Sequence, residues 1–254
     1  MVRTSWRSLR RDWDRMQTAY LPRREERFGA LVEFVATRGP SRPCLIDLGT
    51  GTGALAERLL RRLPRCSVVA VDYDPVTMRI GREVLGDASG RLTWVDADLR
   101  SSRWMDALPA HRFDAAVTTT ALHWLRAPAL SRLFADLHQL IRPGGLFLNG
   151  DTMRFGRTSH RLGRWARETR RRLNEQATRP APPGRGWEDW WKAALAWPPL
   201  AAEADLHRQR YPTAHGTEPG VDAERQAAAL RRAGFREVAT VWQWFDDRIL
   251  AAVA

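Results

Sequence analysis

Apolar positions recur with two periods along this 254-residue chain. Ser5 precedes Trp6, Leu9, Trp13, Met16 and Tyr20, and this spacing predicts an amphipathic helix with Ser5 as its N-cap and Pro22 as its stop. Phe28, Leu31, Val32 and Val35 predict a second helix, closed by Gly39-Pro40. Short continuous apolar runs then alternate with helical patterns. The runs 44–47, 67–72, 92–99, 113–119 and 146–149 read as buried strands. Between them lie Leu55, Leu59, Leu60 and Leu63, then Val76 to Leu85 behind Pro75, then Leu130 through Ile141, each at helical spacing. Consecutive strand–helix units with wholly apolar strands predict a parallel sheet covered by helices on both faces.

The pattern loosens after Asp151. Residues 154–220 hold many arginines, five tryptophans and most of the later prolines. Helices are expected over 161–174 and 187–197, with no independent core. Regularity returns with a helix over 223–233, closed by Gly234, and two strands over 235–244 and 248–253, joined as a hairpin through Asp246-Asp247. The chain therefore divides into N-terminal helices (1–38), a strand–helix core (40–151), a cap insertion (152–221) and a returning core segment (222–254), all in one domain.

Composition narrows this picture only slightly. No run reaches the roughly 18 apolar residues of a membrane span, and the charged start has no signal-peptide core. A cytoplasmic protein, monomer or homodimer, is the expectation. Cys44 and Cys66 are expected as free buried thiols. The net charge is +12, but Lys192 is the single lysine among 41 basic residues. That skew fits a general arginine bias better than a nucleic-acid patch. None of the six histidines has metal-ligand spacing, so no metal is expected.

The chemistry gathers at strand ends. Asp47-Leu48-Gly49-Thr50-Gly51-Thr52-Gly53 lies between the first strand and its helix, the context of a nucleotide-binding turn. Its acidic start suits a ligand with a positive group better than a pyrophosphate. Asp72 ends the second strand, and Asp98 the third. Ligands of open α/β sheets bind beyond these carboxyl ends. Taken singly, Asp72 or Asp98 could cap a helix; three carboxylates at three such ends point to a ligand.

These segments resemble the class I S-adenosylmethionine-dependent methyltransferases of small molecules. LIDLGTGTG is similar to their first motif, VVAVDYDP to the second and WVDADL to the adenine-binding segment. FDAAVTTTALHWL, LIRPGGLFLNGD and AGFREVATVW resemble the later strands, in the manner of trans-aconitate and malonyl-carrier methyltransferases. The resemblance covers roughly 40–151 and 222–253. It implies a Rossmann-like, doubly wound, seven-stranded α/β sheet, mostly parallel with an antiparallel C-terminal strand, bearing a helical N-terminal segment and a helical cap. It implies S-adenosylmethionine as donor. Asp47, Gly49, Thr50, Gly51, Gly53 and Thr119 would surround the loop and the methionine part. Asp72 would meet the ribose, and Tyr73, Asp98 and Leu99 the adenine.

The acceptor is less legible. His123, in the Leu122-His123-Trp124 turn after strand four, is the candidate base; packing of that turn is the alternative role. His160, His207 and His215 in the insertion are candidates to face an acceptor, while His111 and His138 read as solvent-facing. Trp13, Tyr20, Trp124, Trp187 and Trp191 are the candidate acceptor wall. Arg164, Arg167, Arg170 and Arg171 read as a solvated face from which one or two could hold an anion. An anionic or aromatic small molecule is the expected acceptor. Three rivals stand against this reading. Gly49-x-Gly51-x-x-Ala54 also satisfies a dinucleotide pattern. A nucleic-acid methyltransferase would suit the charge, but the Asn/Asp-Pro-Pro-aromatic motif of base-amine enzymes is replaced by Thr118-Thr119-Thr120-Ala121-Leu122. A non-catalytic protein that binds the donor is the third.

Overall fold

The computed structural model describes residues 4–109, 112–177, 186–212 and 222–254. Two helices, α1 (Trp6–Tyr20) and α2 (Arg24–Arg38), precede the alternating units β1 (Cys44–Leu48), α3 (Ala54–Arg62), β2 (Ser67–Asp72), α4 (Pro75–Leu85), β3 (Leu92–Asp96), β4 (Phe113–Thr119), α5 (Ala127–Leu140) and β5 (Ile141–Thr152). Then come α6 (His160–Ala177), α7 (Trp187–Leu195), α8 (Ala201–Arg210), α9 (Ala223–Arg232), β6 (Glu237–Trp244) and β7 (Asp247–Val253). The sheet order is β3-β2-β1-β4-β5-β7-β6; β7 runs antiparallel to both β5 and β6, and the other pairs are parallel. The expected Rossmann-like sheet is therefore the observed one.

The apolar runs are buried because both sheet faces are covered. Phe28, Leu31 and Val35 of α2 join Leu55 and Leu59 of α3 on one face. Leu133, Phe134 and Leu137 of α5 join Leu230 of α9 on the other. A third cluster draws Leu9 and Met16 of α1 together with Val76 and Ile80 of α4 and Trp190 and Ala194 of α7. The first helix and the cap, far apart in sequence, thus form one layer over α4. Ser5 and Ser8 close a reciprocal capping box on α1, and Asp74 caps α4 in front of Pro75.

Several expectations are corrected. Strand three stops at Asp96, so Asp98 lies in the following turn, where it accepts from the Arg100 backbone. Strand five starts already at Ile141, because Gly144 takes φ +78° and lets the Arg142-Pro143-Gly144-Gly145 segment run along the sheet. The hairpin turns at Phe245-Asp246, with Phe245 at φ +55°, which leaves Asp247 inside β7. Helix α8 is not among the elements the periodicity predicts: only Ala204 and His207 of it are buried, too few to mark a helix without its partners. His138 is not solvent-facing; its ring meets Phe235 edge-on and covers Gly234. Cys44 is half-buried, Cys66 is buried, and both are free thiols. His111 and His215 lie outside the described residues.

One close approach carries a prediction. A Cβ on Gly81 of α4 would stand 2.4 Å from Trp94 Cη2 and 3.0 Å from the Thr52 backbone. Gly81→Ala is therefore expected to destabilise the fold by about 1–3 kcal/mol through overpacking. Thermal melting checks this, and an unchanged melting temperature would refute it.

Candidate active site

A cleft of about 1470 Å³ opens beyond the carboxyl ends of β1, β2, β4 and β5, where the strand order reverses. One end is made by the glycine turn. Gly49, Gly51 and Gly53 all have positive φ, so the chain folds back tightly before α3. Open space lies where a Cβ on Gly51 would stand, and Gly51 lines the cleft. Gly53 serves packing instead. A Cβ there would meet Leu85 and Trp94 at 2.8 Å, so its absence lets the turn settle on α4 and β3.

Asp72 lines the cleft with both oxygens organised by backbone. It accepts from Gly51 N–H at 2.6 Å, Tyr73 N–H at 2.7 Å and Asp74 N–H at 2.8 Å. Burial pushes its carboxyl up to about 6, against those three hydrogen bonds. Asp47 does not line the cleft. It is buried beneath the turn and accepts from the Thr50 hydroxyl at 2.6 Å; burial, assisted by the Asp72 charge, pushes its carboxyl up to about 7. Thr50 and Thr119 likewise lie behind the wall rather than in it. Tyr73, Asp98 and Leu99 complete this end. The Arg210 guanidinium lies 4.2 Å from the Tyr73 ring centre and pairs with Asp96 through two 2.8 Å bonds. Arg100 spans from Asp98 to the same ring. Arg210 and Tyr211 also line the cleft, and no sequence pattern marks them because none marks α8.

His123 also faces the cleft, and its Nδ1 lies 2.9 and 3.1 Å from the two oxygens of Asp151. The His123 N–H also donates to Asp151 Oδ2 at 3.1 Å, so ring and backbone are both held. Asp151 is buried at the end of β5. The strand-end rule that singles out Asp72 would also have found it in Leu148-Asn149-Gly150-Asp151. Burial works against the imidazolium, but the charge and hydrogen bond of Asp151 outweigh it and raise the His123 pKa, with Arg27 opposing. Asp151 is correspondingly held below the usual carboxylate range: its burial is overcome by His123 and Arg27.

Aromatic side chains wall the cleft: Trp13, Tyr20, Trp124, Trp187 and Trp191 all line it. Trp190 does not; it is buried and donates its indole N–H to the Leu9 carbonyl at 3.0 Å. His207 sits behind the wall, stacked on Trp191 and bonded to Asp74 at 2.6 Å, while His160 is exposed outside the cleft. The arginines of α6 divide. Arg164 and Arg171 are solvated, Arg167 lines the cleft, and Arg170 lines it while paired with buried Asp246 at 2.6 Å. Among the described residues, no group of His, Cys, Asp and Glu could hold a metal, and no helix is long and apolar enough to cross a membrane.

Residues 45–145 match the family model of a methyltransferase domain. This core is of the class I methyltransferase type. An uncharacterized methyltransferase of Mycobacterium tuberculosis is 37% identical over 120 residues, 46% of this chain and 54% of that protein. A malonyl-[acyl-carrier protein] O-methyltransferase of Geobacter sulfurreducens is 36% identical over 103 residues, 41% of this chain and 36% of that protein. The matched part thus spans about half or less of these relatives' length. An O-methyltransferase family protein of Burkholderia thailandensis superposes with a TM-score of 0.56 over 89% of this chain and 55% of its own, at 19% identity, a likeness of fold. The methyltransferase match ends at Gly145, so Asp151 and the whole cap lie outside the matched segment.

Proposed function

We propose that the protein transfers a methyl group from S-adenosylmethionine to a small, anionic or aromatic acceptor, with oxygen or nitrogen as the methylated atom. The observation that carries this is one cleft holding both the glycine turn with Asp72 and the His123–Asp151 pair. The residues present fit the donor. Open space lies over Gly51, and Asp72 is an acceptor-only carboxylate when ionised, suited to ribose hydroxyls. Tyr73, Asp98 and Leu99 would border the adenine, with Gly49 near the methionine part. Asp47, Thr50, Gly53 and Thr119 would act from behind, holding the turn and the β4 end.

When bound, S-adenosylmethionine supplies a methyl carbon activated by its sulfonium. The chain's own work is to align the acceptor and to take its proton. The ionised Asp151 accepts a hydrogen bond from the Nδ1–H of His123, which leaves Nε2 as the basic atom. Trp13, Tyr20, Trp124, Trp187 and Trp191 offer an apolar, aromatic wall, and orientation within it supplies much of the rate gain. Arg154 and Arg167 line the cleft with no ion-pair partner among the described residues. They are the proposed holders of an acceptor anion; Glu188 and Asp189 also line the cleft, beside Trp187. In this reading 40–151 with 222–254 is the donor unit, 152–221 the acceptor cap, and the protein a cytoplasmic monomer or homodimer.

Calorimetry with S-adenosylhomocysteine and with NAD tests the donor, and labelled methyl transfer into a cell extract tests the acceptor. Binding of the former alone, with label in small molecules, is the expected result. Absence of S-adenosylhomocysteine binding, or label confined to nucleic acid, overturns the proposal. Once an anionic acceptor is in hand, Arg154→Ala/Arg167→Ala is expected to raise its KM about tenfold or more while leaving S-adenosylhomocysteine affinity intact.

A further inference from the structure

Arg27 is 0% exposed, deep between α2 and the sheet. Its Nη1 donates to Asp247 Oδ1 at 2.6 Å, and its Nη2 donates to the Thr119 hydroxyl at 2.9 Å and to the Thr120 hydroxyl. Three elements distant in sequence meet at this one side chain: α2, the end of β4 and the start of β7. A Cβ on Gly150 would come within 3.1 Å of Arg27 Cδ, so glycine in β5 leaves the space through which the side chain passes.

What Arg27 grips is unusual. Thr120 has φ +55°, a region that a β-branched residue occupies only when its surroundings enforce it. The Thr120 N–H is fixed by the Gly150 carbonyl at 2.9 Å and its hydroxyl by Arg27. Thr120 lines the cleft, Ala121 follows, and His123 is three residues on. A Cβ on Gly49 would stand 2.3 Å from Ala121 Cβ, so this loop also abuts the glycine turn. We propose that Arg27 is a positioning residue: reaching from the N-terminal helical segment, it clamps Thr119, Thr120 and Asp247, and so sets the loop that carries His123 against the donor end of the cleft.

The charges around His123 agree with this placement. Asp151 of β5 bonds it directly, and Arg27 of α2 is the nearby cation opposing its protonation. Behind Arg27 stand Asp247 of β7 and the Asp246–Arg170 pair that joins the hairpin turn to α6.

The donor-binding readout rests on the methyltransferase reading; the imidazole readout does not. Full-length protein with isotope-labelled histidine is titrated by NMR, and S-adenosylhomocysteine affinity is measured by calorimetry. Arg27→Met is expected to raise the His123 midpoint, because a neighbouring cation that opposes its protonation is gone. It is expected to weaken S-adenosylhomocysteine about tenfold as the loop relaxes. Arg27→Lys keeps the charge, so the midpoint stays near that of wild type and the affinity recovers in part. Thr119→Val/Thr120→Val leaves the Arg27–Asp247 pair intact and should still weaken the ligand several-fold. A folded Arg27→Met protein with midpoint and affinity both unchanged overturns the proposal. If Arg27→Met does not fold, the double threonine variant decides, and unchanged affinity overturns it. If the wild-type protein binds no S-adenosylhomocysteine, the donor reading fails, and the His123 midpoint alone decides the role of Arg27.

Discussion

Asp72→Ala loses S-adenosylhomocysteine affinity by about ten- to a hundredfold, since an ionised acceptor aimed at ligand hydroxyls is worth roughly 1.5–3 kcal/mol. Two effects add. The variant removes the carboxylate from the cleft, and it frees the Gly51, Tyr73 and Asp74 N–H groups that now converge on it. The wild-type protein is expected to show its own pH dependence. Burial raises the Asp72 carboxyl from 3.8 to about 6. Ligand affinity should therefore fall as pH drops through about 6, while Asp72→Ala stays flat there. The sign for the unliganded fold is the reverse. Because the folded pKa exceeds the unfolded one, this group costs no stability below about 3.8 and its full cost above about 6. Calorimetry at several pH values checks both signs, and equal affinity of the two proteins at neutral pH would end the ribose assignment.

His123→Ala is expected to lower kcat by about 10²–10⁴, the usual worth of a positioned base, for an acceptor that must lose a proton. Asp151→Asn should lower it as well, and its pH profile separates position from charge. In the wild-type protein the base form of His123 appears only as pH rises above a midpoint that Asp151 holds higher than 6.5. Removing that carboxylate lowers the midpoint. The acidic limb of the rate profile should therefore shift to lower pH even as the plateau falls, because nothing now orients the ring. An acidic limb that does not move would show that another group is titrating. S-adenosylhomocysteine affinity should change little in either variant, since neither side chain belongs to the donor end.

The glycine-turn end of the cleft was legible in the sequence because it is local. A glycine turn between a buried strand and a helix needs only a dozen consecutive residues, and Asp72 lies at the next strand end by the same alternation. Distinguishing wall from support was not legible. Asp47 and Asp72 look alike in sequence, yet one lies beneath the turn and the other faces the cleft. Gly53 and Gly51 differ likewise: one glycine serves packing against Trp94 and the other an open face. Helix α8 is hidden in the sequence because its buried residues, Ala204 and His207, are weak apolar markers. With it is hidden Arg210, which ties the cap to Asp96 and Tyr73.

By itself, then, the sequence determined the alternating sheet, its order of elements and the glycine turn with its strand-end carboxylate, because periodicity and turn chemistry act over neighbouring residues. Only the tertiary structure decided the partnerships. His123 meets Asp151 across 28 positions, Arg27 meets Asp247 across 220, and Trp190 of the cap bonds Leu9 of the first helix across 181. No local pattern encodes these contacts, since each depends on where the folded sheet brings strand ends, hairpin and helices together.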